Sequence, residues 1–208
     1  MKEFLRSRGI ELFGAIPLSS CKITRGYLLE RTGLDMDSTV VMMLLPYRSE
    51  HTPKNLSVYA SAPDYHAFVS ELREDIKAYL GERFEGEKFE LFGDHSPIDE
   101  VNGACLAGLG FIGDNGLLIN EEYSSFVFLC ELITSIRPEA LGLEMVRDVS
   151  IKRCIGCGAC MRACPSFSTN RCKRSFSASI RMVSITSFTK ANISNKRASF
   201  NEIPRCCI

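Results

Sequence analysis

The chain has 208 residues, 45% of them hydrophobic, with 25 basic and 25 acidic side chains that cancel to a formal net charge of zero. That composition supports one packed domain plus a small module, and no apolar run approaches the roughly 20 residues a membrane span requires. The zero hides a split: residues 1–164 carry 17 basic and 24 acidic side chains, and residues 165–208 carry 8 and 1, so the body offers no global attraction for nucleic acid and the basic character is confined to the tail.

Residues 2–8 read as a short helix stopped at Gly9, followed by a strand over Ile10–Ile16 that Pro17 ends. Leu18-Ser19-Ser20-Cys21 has the form of a lipoprotein cleavage site, but Glu11 interrupts the short apolar stretch before it. The N-terminus is therefore read as that of a mature cytoplasmic protein. A helical patch near Tyr27–Arg31 precedes Thr39–Leu45, a continuous apolar run closed by Pro46. Such a run predicts a strand buried on both faces, hence a sheet with helices on each side, and makes the Met42-Met43 pair core.

Asp64 to Leu80 is the clearest helix: Asp64 can cap it, and Tyr65, Phe68, Val69, Leu72, Ile76, Tyr79 and Leu80 recur at three- and four-residue steps. Arg73, Glu74 and Lys77 then face solvent. His66, in the first turn just off the apolar stripe, has by itself the pattern of a structural or solvated histidine. Lys88–Phe92 is a predicted strand delivering Gly93-Asp94-His95-Ser96-Pro97 into a turn. A carboxylate just beyond a strand end is where α/β sheets place reactive groups, and Asp-x-Ser-Pro is equally an ordinary helix-starting turn. Ile98–Ala107 reads as helix, with Gly108, Gly110, Gly113 and Gly116 breaking the chain into tight turns around Phe111 and Ile112. Glycines at that density let a backbone approach a flat or phosphorylated ligand, without matching a dinucleotide or Walker spacing. Leu117–Ile119 and Phe126–Ile133 look like two strands joined across Asn120–Ser125.

The most direct chemistry lies in Cys154-Ile-Gly-Cys157-Gly-Ala-Cys160-Met-Arg-Ala-Cys164-Pro165. This spacing is that of bacterial ferredoxins that ligate [4Fe–4S] clusters, in which three thiolates converge on one cube and the cysteine before proline usually serves a second. The small residues Gly156, Gly158 and Ala159 let the backbone wrap close to the sulfides. Zinc prefers two-cysteine hooks separated by a longer span, and disulfides need an oxidising compartment that nothing here implies. Among the ten cysteines, Cys21, Cys105 and Cys130 read as small core hydrophobes.

Together, Tyr59-Ala60, Asp64-Tyr65-His66, Asp94 with Pro97 and Glu100, Ala107 to Gly113 with Asn115, Leu117 to Asn120, Glu131-Leu132-Ile133 and the cysteine run resemble the epoxyqueuosine reductase family, relatives of corrinoid reductive dehalogenases. The resemblance covers about residues 1–165 and implies an α/β (α+β) fold: a nitroreductase-like cobalamin-binding domain over residues 1–145, then a partial bacterial ferredoxin-like 4Fe-4S module over 146–165. It further implies cobalamin and one or two 4Fe-4S clusters as cofactors, and a ferredoxin or flavodoxin as electron donor. The implied reaction is reduction of an epoxide on the queuosine precursor of tRNA. Asp94 matches the family's proton-donating aspartate. His66, Ser96, Pro97, Gly108, Gly110, Phe111, Gly113 and Asn115 match its pocket, and Cys154, Cys157, Cys160 and Cys164 its cluster ligands. A carboxyl shielded by a large corrin would hold a proton for the alkoxide formed when an epoxide opens.

The chain departs from the family pattern where a Glu-Arg pair becomes Glu100-Val101, a tryptophan becomes Phe111, and Lys-Asn-Thr becomes Asp114-Asn115-Gly116. Two charges able to meet phosphate or cofactor amides are lost. The larger departure is the tail: residues 166–208 have no glycine, nine serines, and only Cys172, Cys206 and Cys207. A second two-residue-spaced ligand set cannot be built from those. The expectation is a shifted reading frame or altered terminus after Pro165, checked by translating the neighbouring frames for Cys-x-x-Cys-x-x-x-Cys-Pro, with a basic, serine-rich nucleic-acid-binding tail as the rival reading. Functionally, a reductase competes with a ferredoxin-like carrier or docking protein and with a truncated inactive product.

Overall fold

The structure is a computed structural model that describes residues 1–48, 58–146, 150–151 and 154–163, so Cys164 and the tail lie outside the described residues. Helix α1 (Lys2–Ser7) is followed by strand β1 (Leu12–Pro17), a 3₁₀ turn at Leu18–Ser20, helix α2 (Gly26–Thr32) and strand β2 (Thr39–Pro46). Helices α3 (Val58–Ser61) and α4 (Tyr65–Gly81) then lead to strand β3 (Phe89–Gly93) and helix α5 (Glu100–Leu106). Strands β4 (Phe111–Ile112), β5 (Leu118–Ile119) and β6 (Val127–Thr134) precede helix α6 (Ala159–Ala163).

Four strands form one antiparallel sheet in the order β1-β2-β6-β3, with the long central pair β2 and β6 in register from Thr39 opposite Thr134 to Pro46 opposite Val127. The strand period of two splits β2 between two cores. Val40, Met42 and Leu44 point to the side covered by α2 and α5, and Val41, Met43 and Leu45 to the side covered by α1 and α4. This explains why the run is uninterruptedly apolar: all seven residues from Thr39 to Leu45 are buried. Both-face burial is usual for parallel sheets, and here helices cover an antiparallel one.

α4 turns Val69, Leu72, Ile76 and Leu80 to the sheet, and Asp64 caps it by accepting the His66 N–H. Arg73 departs from the solvent reading: half-buried, it bridges to Glu90 at 3.3 Å and donates to the Leu91 carbonyl at 3.0 Å. Glu74 and Lys77 remain a surface pair. Cys21, Cys105 and Cys130 are buried in the core as expected. Two connections differ from the sequence reading. Phe111 and Ile112 form a strand rather than turns, and β5 pairs with that strand as a separate hairpin instead of joining β6.

Candidate functional site

β3 ends at Gly93, and the next residue, Asp94, takes the left-handed conformation with φ of 66°. Aspartate is among the few residues that visit this region readily, because its short polar side chain can bond locally. The turn aims the Asp94 carboxylate at His66, whose Nε2 lies 3.7 Å from it, while His66 Nδ1 lies 2.9 Å from Asp64. A carboxylate partner makes Nδ1 the protonated nitrogen in the neutral ring and leaves Nε2 facing Asp94. Hydrogen bonds from His66, the side-chain one first, hold Asp64 below the usual carboxylate range. Sequence reading treated Asp64 only as a helix cap. Its second role, orienting His66, follows from the Asp-x-His spacing at a helix start.

Ser96 and Pro97 serve this turn from inside. Ser96 is fully buried, its hydroxyl accepts the Ile98 N–H at 3.0 Å, and its carbonyl accepts from the Arg25 guanidinium at 3.0 Å. The Pro97 carbonyl accepts the N–H groups of Thr24 and Arg25. These bonds tie the segment before α2 to the segment before α5 and fix the path of the Asp94 loop.

Beneath the turn stand two carboxyl groups that the sequence reading left without roles. Glu100, at the start of α5, is pushed up to about 7 by burial and then by the Asp94 charge, against the pull of the Asp94 backbone N–H and of Arg25. Glu131, in the middle of β6, has no exposure, and neither carboxyl oxygen has a hydrogen-bond partner among the described residues. The Ser96 hydroxyl stands near enough to favour its charged form, but burial first and Glu100 second drive its pKa well upward. The signal was present in the sequence as a glutamate inside Phe-Leu-Cys-Glu-Leu-Ile, a strand otherwise without charge.

The glycine-rich hairpin is explained largely by its own closure. A Cβ on Gly110 would lie 2.4 Å from the Ile119 carbonyl oxygen, and one on Gly113 would lie 2.5 Å from Asn115 Oδ1. Asn115 Oδ1 accepts the Leu117 N–H at 3.2 Å, closing the turn. Gly108 adopts φ of 76° with open space around it, and Phe111 is half-buried.

A backbone bond from the Cys154 N–H to the Ile112 carbonyl at 2.9 Å joins the cysteine run to this hairpin. Gly156 and Gly158 take left-handed φ values of 72° and 71°, which turn the chain around Cys157, and the Gly156 N–H lies 3.4 Å from Cys154 Sγ. Aiming N–H groups at sulfur suits a thiolate-bound cluster. Among the described residues, no three cysteine, histidine or carboxylate side chains converge as a metal-binding group. The fourth cysteine of the run, Cys164, is not described.

Fold and site together define a mixed α/β protein with a ferredoxin-type cysteine run bonded to its second, smaller sheet. The family of 4Fe-4S binding domains matches residues 149–166, which contain all four cysteines of the run. An epoxyqueuosine reductase of Leadbetterella byssophila is 36% identical over 141 residues, covering 64% of this chain and 43% of that protein. A solved epoxyqueuosine reductase of Streptococcus thermophilus superposes with a TM-score of 0.60 at 20% identity, covering 79% of this chain and 51% of that one. Another, solved with a tRNA-Tyr epoxyqueuosine-modified stem loop, gives 0.56 at 22% identity, covering 79% of this chain and 50% of that one. The resemblance read from the sequence is thus borne out: the chain is a relative of the epoxyqueuosine reductases, although it spans only 26% to 43% of the length of the curated ones it matches. No helix among the described residues is long and apolar enough to cross a membrane.

Proposed function

We propose that the chain is an iron–sulfur reductase of the epoxyqueuosine reductase type, with Asp94 supplying a proton to the epoxide oxygen. The observation that carries this reading is the left-handed Asp94 turn, with its carboxylate 3.7 Å from His66 Nε2, in a chain whose cysteine run matches a 4Fe-4S binding domain. Cys154, Cys157, Cys160 and Cys164 would hold the cluster, and a ferredoxin or flavodoxin would charge it. Asp94, 32% exposed in its side chain, reaches toward solvent, where a substrate oxygen can meet it. His66 holds the carboxylate in place, and Asp64 fixes the imidazole tautomer.

The residues present also fit a large flat ligand such as cobalamin. The open backbone at Gly108, half-buried Phe111 and exposed Leu117 are apolar groups such a ligand could meet, and Cys154 is joined to the same hairpin by a backbone bond. Bound there, cobalamin would supply a strongly reducing nucleophile for the epoxide carbon. The tRNA substrate is inferred from the relatives, one of which was solved with an epoxyqueuosine-modified stem loop.

Anaerobic reconstitution with iron, sulfide and cobalamin tests the proposal, followed by an assay for loss of the epoxide in a modified stem loop. Turnover is expected. About four irons per chain would mean one cube and about eight would mean two. One observation favours a second reading, an electron carrier without turnover: the family model that matches, a 4Fe-4S binding domain over residues 149–166, suits a carrier as well as an enzyme. Iron binding with no cobalt retained and no epoxide loss would select the carrier. A folded protein that takes up neither metal would remove both readings.

A further inference from the structure

Reducing an epoxide with two electrons consumes two protons. If the product is an alcohol, one goes to carbon and one to oxygen; if an alkene, both leave with the oxygen as water. In the reductase reading Asp94 delivers one to the substrate oxygen. The structure offers a second holder on the inner side. Glu131 is fully buried, whereas Glu100 and Asp94 are both partly exposed, Asp94 with 32% of its side chain, so Glu131 is the one of the three that cannot meet substrate.

The order is fixed by the fold. In β6, Glu131 is paired with Met42 of β2 and with Phe92 of β3, and Asp94 lies two residues beyond that Phe92. α5, which packs over β6 and β2, begins with Glu100, and the Asp94 N–H reaches the Glu100 carboxyl. The charged and titratable neighbours of this unit include His66 of α4 beside Asp94, with Asp64 behind it, Arg25 before α2, Asp99 at the cap of α5, Tyr65 of α4, Cys130 of β6 and Cys21. Among the described residues, Arg25 and His66 are the cation-forming groups of this set, fewer than three carboxylates would need to remain ionised side by side. Glu131 lies within an otherwise apolar stretch, and among the described residues neither oxygen has a hydrogen-bond partner of good geometry, as expected of a carboxyl that keeps its proton.

Building on the reductase reading, we propose that Glu100 and Asp94 act as a two-proton unit backed by Glu131. Asp94 gives its proton to the oxygen that receives the electron pair of the breaking carbon–oxygen bond. The O–H of Glu100 then breaks as a new O–H forms on Asp94, which donates again. The two electrons come through the iron–sulfur centre from the low-potential donor already inferred. After both donations Asp94 and Glu100 each carry a charge until solvent reloads the unit, and Glu131, still neutral, adds no third. Glu100 and Glu131 are thus positioning and reloading residues, and Asp94 is the catalytic one.

Infrared spectroscopy of the full chain carrying 13C-labelled glutamate tests this without turnover. The expected result is protonated-carboxyl bands at neutral pH, one of which is lost as pH rises through about 7 and is missing in Glu100→Gln. A second band should be missing in Glu131→Gln. Absence of both bands from the folded wild type overturns the proposal, whatever the enzyme does. In the loaded protein, Glu100→Gln should lower kcat by about 100-fold with little change in KM and remove one limb of the pH profile, and Glu100→Asp should restore part of the rate. Wild-type rate and pH profile in Glu100→Gln would overturn it as well. A wild type that shows the bands but never reduces epoxide sinks the reductase reading, and the second-proton role with it, leaving only the shared-proton cluster standing.

Discussion

The two faces of the central sheet are built to different rules. The face under α1 and α4 is apolar throughout, with Ala15, Val41, Met43, Leu91, Cys130 and Leu132 packed against the seventeen-residue α4. The opposite face carries Glu131 among its apolar residues and is covered by α2 and α5, seven residues each. Helices that short are not stable alone, and here loop bonds such as those from Thr24 and Arg25 to Pro97 hold them. One face is therefore without a buried carboxyl group among the described residues. The other accepts buried carboxyl groups at a cost in stability, which is where a proton-handling site can be accommodated.

The largest expected effect separates the faces by rate. Asp94→Asn should reduce epoxide turnover about 10²- to 10⁴-fold while the protein stays folded, because asparagine tolerates the left-handed backbone as well as aspartate does. An Asp94→Asn protein with wild-type turnover would remove Asp94 from the chemistry. On the other face, Ile76→Ala, at a fully buried position, should cost about 2–5 kcal/mol in urea unfolding and leave the rate per folded molecule unchanged. A rate loss equal to that of Asp94→Asn would mean the faces are not functionally distinct.

Much of this division was legible in the sequence, for physical reasons. The run from Thr39 to Leu45 announced a doubly covered strand, and the three- and four-residue spacing from Tyr65 to Leu80 announced α4 together with its Asp64 cap. Asp94 at a strand end and the cysteine spacing pointed to chemistry before any fold was known. What escaped was non-local. Whether Phe111–Ile112 pairs with Leu118–Ile119 depends on a close backbone approach at Gly110 that no periodicity reveals. Contact of His66 with Asp94, or the approach of Glu131 to Glu100, requires the β6–β3 pairing and the packing of α4 and α5. Arg73 looked solvated because only the tertiary structure brings β3 beneath it.

The pH dependence of stability sharpens the contrast further. An ordinary glutamate ionises near 4.5, whereas Glu100 in the folded protein does so at about 7. Between those values the folded state binds more protons than the unfolded one, so stability falls as pH rises, and the loss from this group is complete above about 7. Glu131, raised still more strongly by burial, extends the fall to higher pH. Glu131→Gln should make the curve flatter and raise stability at pH 8 relative to wild type, read from urea midpoints across pH. A variant less stable than wild type at both pH 5 and pH 8 would show that Glu131 is held by polar partners after all.

The smallest effect concerns the open edge of β3. From α4, Arg73 donates to the Leu91 carbonyl and pairs with Glu90, lining a groove of about 610 Å³ along that edge. Unpaired backbone groups on an edge strand invite pairing with another chain, and a charged side chain laid across them is one way proteins prevent it. Arg73→Met keeps most of the stem's packing and removes the charge and the carbonyl bond, so the monomer should lose about 1 kcal/mol. A double-mutant cycle with Glu90→Gln should give a coupling below about 1 kcal/mol, because the pair is one-third exposed on both sides. If edge protection is the main role of Arg73, self-association measured by sedimentation should rise in Arg73→Met and not in Glu90→Gln, since only the arginine covers the Leu91 carbonyl.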